Sequence, residues 1–251
     1  MMIAQDLEQS IEQTKDITPD VIFPPSDLYS DEPPVETELH LRQIILLLQC
    51  LEWLWKDRTD FYTAGNLTIY YSPHQKKNEK SRGPDFFVVL GTERKTRKSW
   101  VVWDEDGKYP NVIIEILSPS TANSDKVTKK ELYQNTFRTP DYFWFDPYTL
   151  EFVGFYLTNG QYQPLEPNEK GYLWSEQLGL YLGVHEGLLR YFTPEGDLVP
   201  TPEETAEEET KKAVQADARA KQESKRAAQA DARAERLAAK LRELNIDPET
   251  I

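Results

Sequence analysis

The chain of 251 residues is poor in the side chains that build redox and zinc sites, with one cysteine, Cys50, and three histidines. A single cysteine excludes a disulfide framework and any cysteine-based zinc cluster. The histidines are too scattered to suggest a histidine-rich metal site. The longest apolar run, 44–48, is far too short to cross a bilayer. The first eight residues lack the basic and apolar regions of a secretory signal. We therefore expect a cytoplasmic protein with no membrane partner.

The net charge of −14 is distributed unevenly along the chain. Residues 1–35 hold 8 acids and 1 base and show no apolar period, which predicts an acidic, largely disordered tail. Residues 36–200 contain most of the aromatic and apolar side chains, which predicts one folded domain. Beyond this point the composition changes, and residues 201–251 are predicted to form a charged, Ala-rich helix.

Hydrophobic periodicity within the folded domain predicts an α/β fold. Apolar residues recur at three- and four-residue steps over 38–57, at Leu41, Ile44, Ile45, Leu48, Leu51 and Trp55, which predicts a helix. A second helix is predicted over 125–137. Apolar runs predict strands over 67–71, 85–90, 111–117 and 142–145, and a hairpin over 151–157 and 161–165. We expect a mixed central sheet flanked by helices, with further β elements towards the C-terminus.

The C-terminal segment carries an internal repeat. The hexapeptide Gln-Ala-Asp-Ala-Arg-Ala stands at 215–220 and again at 229–234, a period of 14 residues or two heptads. Leu237, Leu241 and Leu244 continue a four-three spacing. A weak coiled coil that serves oligomerisation or docking and a solvated single helix are both consistent with this pattern.

Two acidic residues lie among apolar neighbours, where burying a carboxylate costs free energy. Glu115 lies within Val-Ile-Ile-Glu-Ile-Leu, and Asp85 directly precedes Phe-Phe-Val-Val-Leu. A buried carboxylate needs a cation, a hydrogen-bond network or a proton. If the two strands pair, the carboxylates converge, and such oxygens suit Mg²⁺, which needs only one or two protein carboxylates. Taken singly, each acid is more often a turn residue or a structural partner.

The second predicted helix places three polar side chains on one face. Asp125, Lys129 and Tyr133 are spaced by four residues. Lys129 beside the carboxylates would orient a metal-bound water or stabilise a developing charge on phosphate. The alternative is an Asp125–Lys129 surface pair, worth a few tenths of a kcal/mol.

A basic stretch over 76–98 offers contacts for a nucleic-acid backbone. It contains 8 bases against 3 acids. Two solvated basic loops are an equally good explanation. The candidate phosphate ligands are Lys76, Lys77, Lys80, Arg82, Arg94, Lys95, Arg97 and Lys98.

Four segments together resemble the Uma-two family, restriction-endonuclease-like proteins of the PD-(D/E)XK nuclease superfamily that are abundant in cyanobacteria. They are Arg-Gly-Pro-Asp at 82–85, Val-Ile-Ile-Glu-Ile-Leu-Ser-Pro-Ser-Thr at 112–121, the 125–133 spacing above, and Thr-Pro-Asp-Tyr-Phe-Trp-Phe-Asp-Pro at 139–147. The resemblance covers roughly residues 36–195. It implies a restriction-endonuclease-like core and divalent-metal hydrolysis of phosphodiester bonds.

Carried over by position, the resemblance implies that Asp85, Glu115 and the main-chain carbonyl of Ile116 bind Mg²⁺ or Mn²⁺. The superfamily's strand lysine would stand at 117, where this chain has Leu117. The family places a lysine on the next helix, which matches Lys129. Secondary candidates are Lys126 and Lys130 for the lysine, Glu38 or Glu36 for an acid on the first helix, His40 for a histidine often seen there, and Asp125 and Tyr133 as supporting groups.

The sequence therefore predicts a metal-dependent endonuclease acting on nucleic acid, with DNA as the expected substrate. A homodimer would supply the two sites that cleavage of both strands of a duplex needs. The alternative is a catalytically inactive nuclease fold that binds partners through a coiled-coil tail. A serine hydrolase built on Ser118 or Ser120 is disfavoured, because the glycines of a nucleophile elbow are absent. His185 also has no acidic partner indicated by spacing.

Overall fold

The computed structural model describes residues 37–72, 81–118 and 125–244. The chain divides into two compact units between Val199 and Pro200. The acidic segment predicted over 1–35 lies outside the described residues. In the second unit, helix α3 spans Pro202–Glu243, and its first turn is closed by a capping box between Thr201 and Glu204.

The described part of the first unit contains twelve strands. They are, in chain order, β1 Phe61–Gly65, β2 Ile69–Tyr70, β3 Ser81–Arg82, β4 Phe86–Leu90, β5 Trp100–Val101, β6 Val112–Ile116, β7 Asp141–Phe145, β8 Phe152–Thr158, β9 Gln161–Pro164, β10 Leu173–Ser175, β11 Leu180–His185 and β12 Leu188–Phe192. A short 3₁₀ turn, Val102–Asp104, follows β5.

Six strands form a mixed central sheet in the order β1-β4-β6-β7-β8-β9. Strands β6 and β7 run parallel, and the other neighbours in this sheet are antiparallel. All residues of β6 and β7 are buried, which explains their near-continuous apolar sequences. The smaller sheets have the orders β10-β11-β12 and β3-β2-β5. The predicted α/β class and mixed sheet are confirmed.

Helix α1, Glu38–Leu54, packs on one face of the central sheet, and the Thr37 side chain caps its first turn. The predicted apolar face of this helix was partly wrong. Leu41 and Ile45 are 42% and 41% exposed. Gln43 turns inward because its amide bonds the backbone of Leu189. The buried residues of the helix are His40, Gln43, Ile44, Leu47, Cys50 and Leu51.

The other face of the sheet is covered by the crossover between β6 and β7. This segment, called α2 here, has three consecutive helical pieces, Asp125–Lys129, Lys130–Leu132 and Tyr133–Phe137, of which the first and last are π-helical. Tyr133 and Phe137 pack into the second hydrophobic core, which also holds Tyr142 and Trp144. α2 thus brings its buried side to the centre of the sheet.

The predicted hairpin is present as β8 and β9, with Asn159 and Gly160 at positive φ in its turn. No helix in the described part of the chain combines the length and apolar character needed to cross a bilayer.

Gln43 joins α1 to β12 through a doubly bonded buried amide. Its side-chain nitrogen donates to the Leu189 carbonyl at 2.9 Å, and its oxygen accepts from the Leu189 N–H at 3.0 Å.

We expect Gln43→Leu to lower the free energy of unfolding by about 2–4 kcal/mol, because two buried backbone groups lose their partners. Urea unfolding measures this. The exposed Gln49→Leu on the same helix is the matched control, and equal stability of the two variants would contradict the prediction.

Candidate active site

Strand pairing brings the two predicted carboxylates together. Asp85 immediately precedes β4, and the antiparallel register of β4 with β6 pairs Phe86 with Ile114. Asp85 therefore lies beside Glu115. The Ile116 N–H donates to Asp85 Oδ2 at 2.7 Å, and the Asp85 N–H donates to Glu115 Oε2 at 3.4 Å. The two acids share one buried point of the sheet.

Helix α2 supplies two donors to the Glu115 carboxylate. Lys129 Nζ lies 3.0 Å from Oε2, and the Tyr133 hydroxyl donates to Oε1 at 2.6 Å. Four residues separate the two side chains, so one face of the helix serves both oxygens. Leu117, which stands where the sequence resemblance expects a lysine, is buried in the second hydrophobic core. The helix thus delivers an ammonium group to the strand carboxylate.

Helix α1 contributes His40. Its Nε2 lies 3.1 Å from Asp85 Oδ1, and the residue is 7% exposed. Neither ring nitrogen completes a hydrogen bond of normal geometry within the described part of the chain. A buried imidazole beside a carboxylate, with an unsatisfied Nδ1, is a group available to a ligand.

Burial and the neighbouring charges move the two carboxyl pKa values apart. Burial is the largest cause that raises the pKa of Glu115, to about 8, against the opposing charge of Lys129. Burial also raises the pKa of Asp85, but the adjacent His40 imidazole and the charge of Lys129 outweigh it, so the net shift is downward. Burial and the adjacent Glu115 raise the pKa of Tyr133 well above its usual value, so its hydroxyl is a neutral donor.

The donor set fits a hard divalent cation with few protein ligands. The described residues contain no cluster of three or more His, Cys, Asp or Glu side chains arranged around one metal position. Two carboxylates converge nevertheless, and Mg²⁺ needs only one or two of them together with water and main-chain oxygens. His40 adds a polar ring at the same place, with its Nε2 3.1 Å from Asp85 Oδ1.

The model of the Uma2 family, described as "Putative restriction endonuclease", matches residues 27–190. The chain belongs to the Uma2 family. The chain also resembles a solved structure described as a putative nuclease belonging to DUF820 from Anabaena variabilis ATCC 29413. The two share 18% identity at a TM-score of 0.43, over 59% of this chain and 76% of that one. No curated protein gives a significant match.

Other site residues suggested by the Uma2 pattern lie elsewhere or outside the described part. Glu38 is exposed and binds Arg42, with Arg42 Nε 2.7 Å from Glu38 Oε1. The Lys130 amine lies over the Phe155 ring, 3.5 Å from its centre. Ile116 contacts Asp85 through its N–H. Glu36 and the side chains of Asp125 and Lys126 lie outside the described residues.

The described bases of the basic stretch lie at two different ends of β4. Lys76, Lys77 and Lys80 lie outside the described residues. The backbone of Arg82 lies in β3, three residues before Asp85. The other bases, Arg94, Lys95, Arg97 and Lys98, follow Leu90 at the opposite end of β4. Five strand residues, or about 15 Å, separate the two ends, so these four bases follow the end of β4 that lies away from Asp85.

Arg97 in particular is part of the protein interior. Its side chain is 5% exposed, and its Nη2 donates to Glu105 Oε2 at 2.9 Å. The guanidinium also lies over the rings of Tyr62 and Trp100, at 4.6 and 4.9 Å from their centres. Its role as a phosphate ligand is therefore corrected to that of a structural ion pair.

We expect Arg97→Ala to lower the free energy of unfolding by about 3 kcal/mol, because it leaves the largely buried Glu105 carboxylate without its partner. Urea denaturation measures the loss. The exposed Lys95→Ala is the control and stays close to wild type. A normally stable Arg97→Ala protein with weakened nucleic-acid binding would reverse this assignment.

Replacing Glu115 removes a pH dependence of stability. The folded pKa of about 8 exceeds the ordinary value of 4.5, so the protonated form favours folding. This contribution is complete below pH 4.5 and is lost as the pH rises through 8. Relative to Glu115→Gln, metal-free wild type should lose up to about 1.4 kcal/mol of stability per pH unit within this window.

Chemical denaturation in EDTA at pH 5.5, 7 and 8.5 measures this difference, with the exposed Glu38→Gln as the matched control. Parallel pH profiles for wild type and Glu115→Gln would show that Glu115 is ionised throughout.

Proposed function

We propose that this Uma2 protein is a metal-dependent endonuclease of the PD-(D/E)XK type that hydrolyses phosphodiester bonds of nucleic acid, with DNA as its substrate. The observation that carries the proposal is the meeting of Asp85, Glu115 and Lys129 at one buried point, where three elements contribute side chains. Family membership supports a nuclease, and the geometry supports this particular centre for its chemistry.

The carboxylates of Asp85 and Glu115, with the main-chain carbonyl of Ile116, are the proposed ligands of Mg²⁺ or Mn²⁺. A divalent ion bound there supplies a water of lowered pKa and polarises the scissile phosphate. Glu115 must release its proton to serve as a ligand, and the nearby Lys129 ammonium favours the ionised form.

The surrounding side chains position these ligands and handle charge. Tyr133 fixes one oxygen of Glu115 through its 2.6 Å hydrogen bond. Lys129, 3.0 Å from the other oxygen, is placed to orient the attacking water and to offset charge that develops on the phosphate. His40 holds Asp85 from the side of α1. The chain thus performs with a helix lysine what the superfamily does with a strand lysine.

Substrate contacts are proposed for the end of the sheet where Asp85 lies. Arg82 precedes the site by three residues, and Lys76, Lys77 and Lys80 precede Arg82 in sequence. Bases there would neutralise backbone phosphates and place a strand across the carboxylates. The chain as a whole carries a net charge of −14, so binding depends on this local group of bases.

A second candidate function is a nuclease fold that binds nucleic acid or protein without cleaving. Leu117 at the usual lysine position and the acidic net charge favour it. The two candidates differ in metal binding, because an inactive fold has no need to retain a Mn²⁺ site. Titration of Mn²⁺ into wild type and Glu115→Gln separates them: a site lost in the variant supports the enzyme.

The cleavage test uses matched lysine variants. DNA and RNA are incubated with wild type, Glu115→Gln, Lys129→Met and Lys130→Met in Mg²⁺, Mn²⁺ or EDTA. We expect cleavage only with metal, its loss in Glu115→Gln, and a reduction of about a hundredfold or more in Lys129→Met. Lys130→Met should retain activity, because its amine lies on Phe155 rather than at the site.

Circular dichroism and thermal melting of each variant show that it is folded. Equal activity of Lys129→Met and Lys130→Met would remove Lys129 from the mechanism. Undiminished cleavage by folded Glu115→Gln would refute the proposed centre.

A further inference from the structure

Helix α3 has no buried residue along its 42 positions. At 1.5 Å per residue it extends for about 60 Å. Two of its apolar side chains, Leu237 and Leu244, are 54% and 71% exposed. Most helical stability in proteins comes from packing of one face against a partner. A helix of this length with exposed leucines therefore presents a face on which a partner can pack.

The leucines define a heptad frame for that face. Leu237, Leu241 and Leu244 follow the four-three spacing of coiled-coil positions d, a and d. Extended towards the N-terminus, this frame places a basic residue at all five g positions between 212 and 240: Lys212, Arg219, Arg226, Arg233 and Lys240. The same frame places Asp217 and Asp231 at e positions, one in each copy of the 14-residue repeat.

These flanking charges select one orientation of two helices. In a parallel pair, each g residue faces the e residue five positions later on the other helix. Lys212 then meets Asp217 of the other copy, and Arg226 meets Asp231 of the other copy. An antiparallel pair would set g against g, and therefore bases against bases, along its whole length. The parallel, in-register arrangement forms more g–e contacts of opposite charge than an antiparallel pair or a shifted parallel one.

We propose that α3 binds α3 of a second copy of this chain as a parallel coiled coil, giving a homodimer. This proposal rests on the helix alone, so it is independent of the proposed nuclease chemistry. Glu209 and Glu223 occupy d positions, where like charges face each other across the pair. The dimer is therefore reversible, and its population depends on protein concentration.

Of the two proposed contacts between the copies, Arg226–Asp231 is the better one to test. Asp217 already has an intrahelical partner, because Lys221 Nζ lies 2.7 Å from its Oδ2. Asp231 instead has Glu235 four residues later, a like charge on the same helix. Arg226 of the other copy would therefore give Asp231 an opposite charge, whereas its own helix places a like charge four residues later.

The test uses two complementary charge reversals in the full chain. Arg226→Asp sets Asp against Asp, and Asp231→Arg sets Arg against Arg. Each variant alone should dimerise about tenfold more weakly than wild type, because two attractive pairs become repulsive. In an equimolar mixture both pairs are again opposite in charge, so a heterodimer of wild-type strength should form. Sedimentation velocity across a concentration series measures all three samples.

Lys225→Asp is the matched control, because it makes the same charge change one residue away, at an outward f position. It should dimerise as wild type does. Glu223→Leu should tighten the dimer by tenfold or more by adding an apolar d residue. A wild-type chain that stays monomeric at every attainable concentration, or a mixture no stronger than its separate components, would overturn the proposal.

Discussion

Burial of the Glu115 carboxylate in a wholly apolar strand is the constraint on which the rest of the site depends. An isolated buried charge costs many kcal/mol, and proteins accept one only with hydrogen bonds, an opposite charge or a proton. All three are present here: Tyr133 and Lys129 approach from α2, the Asp85 N–H from the start of β4, and the pKa of Glu115 is raised to about 8. The crossover helix and the strand pairing both meet this requirement.

The same arrangement separates the roles of two neighbouring acids. Asp85 has a lowered pKa and Glu115 a raised one, although one hydrogen bond joins them. Burial raises the pKa of Glu115, and a divalent cation bound beside it would favour its ionised form. Lys129 reaches the Glu115 carboxylate from α2, which is why the proposed mechanism assigns it the part of the superfamily's strand lysine. Leu117 is then free to fill the core.

The sequence predicted the parts of the fold that depend on local pattern. Continuous apolar runs identified β4, β6 and β7, and four-residue spacing placed Lys129 and Tyr133 on one face. Features that depend on contacts between residues far apart in the sequence could not be predicted from it. Strand β1 was missed, since its Thr, Ala and Gly carry a weak apolar signal. The inward turn of Gln43 depends on a partner 146 residues away. The separation of the basic residues depends on which end of β4 each group follows.

The most direct measurement of the central claim is the position of a bound ion. Crystals of the protein soaked in Mn²⁺ would be examined by anomalous diffraction at the manganese edge. The account predicts a peak in contact with the carboxylates of both Asp85 and Glu115, with Lys129 remaining beside it. A structure in which Mn²⁺ binds elsewhere, or in which Lys129 and Glu115 keep a closed ion pair at saturating Mn²⁺, would contradict it.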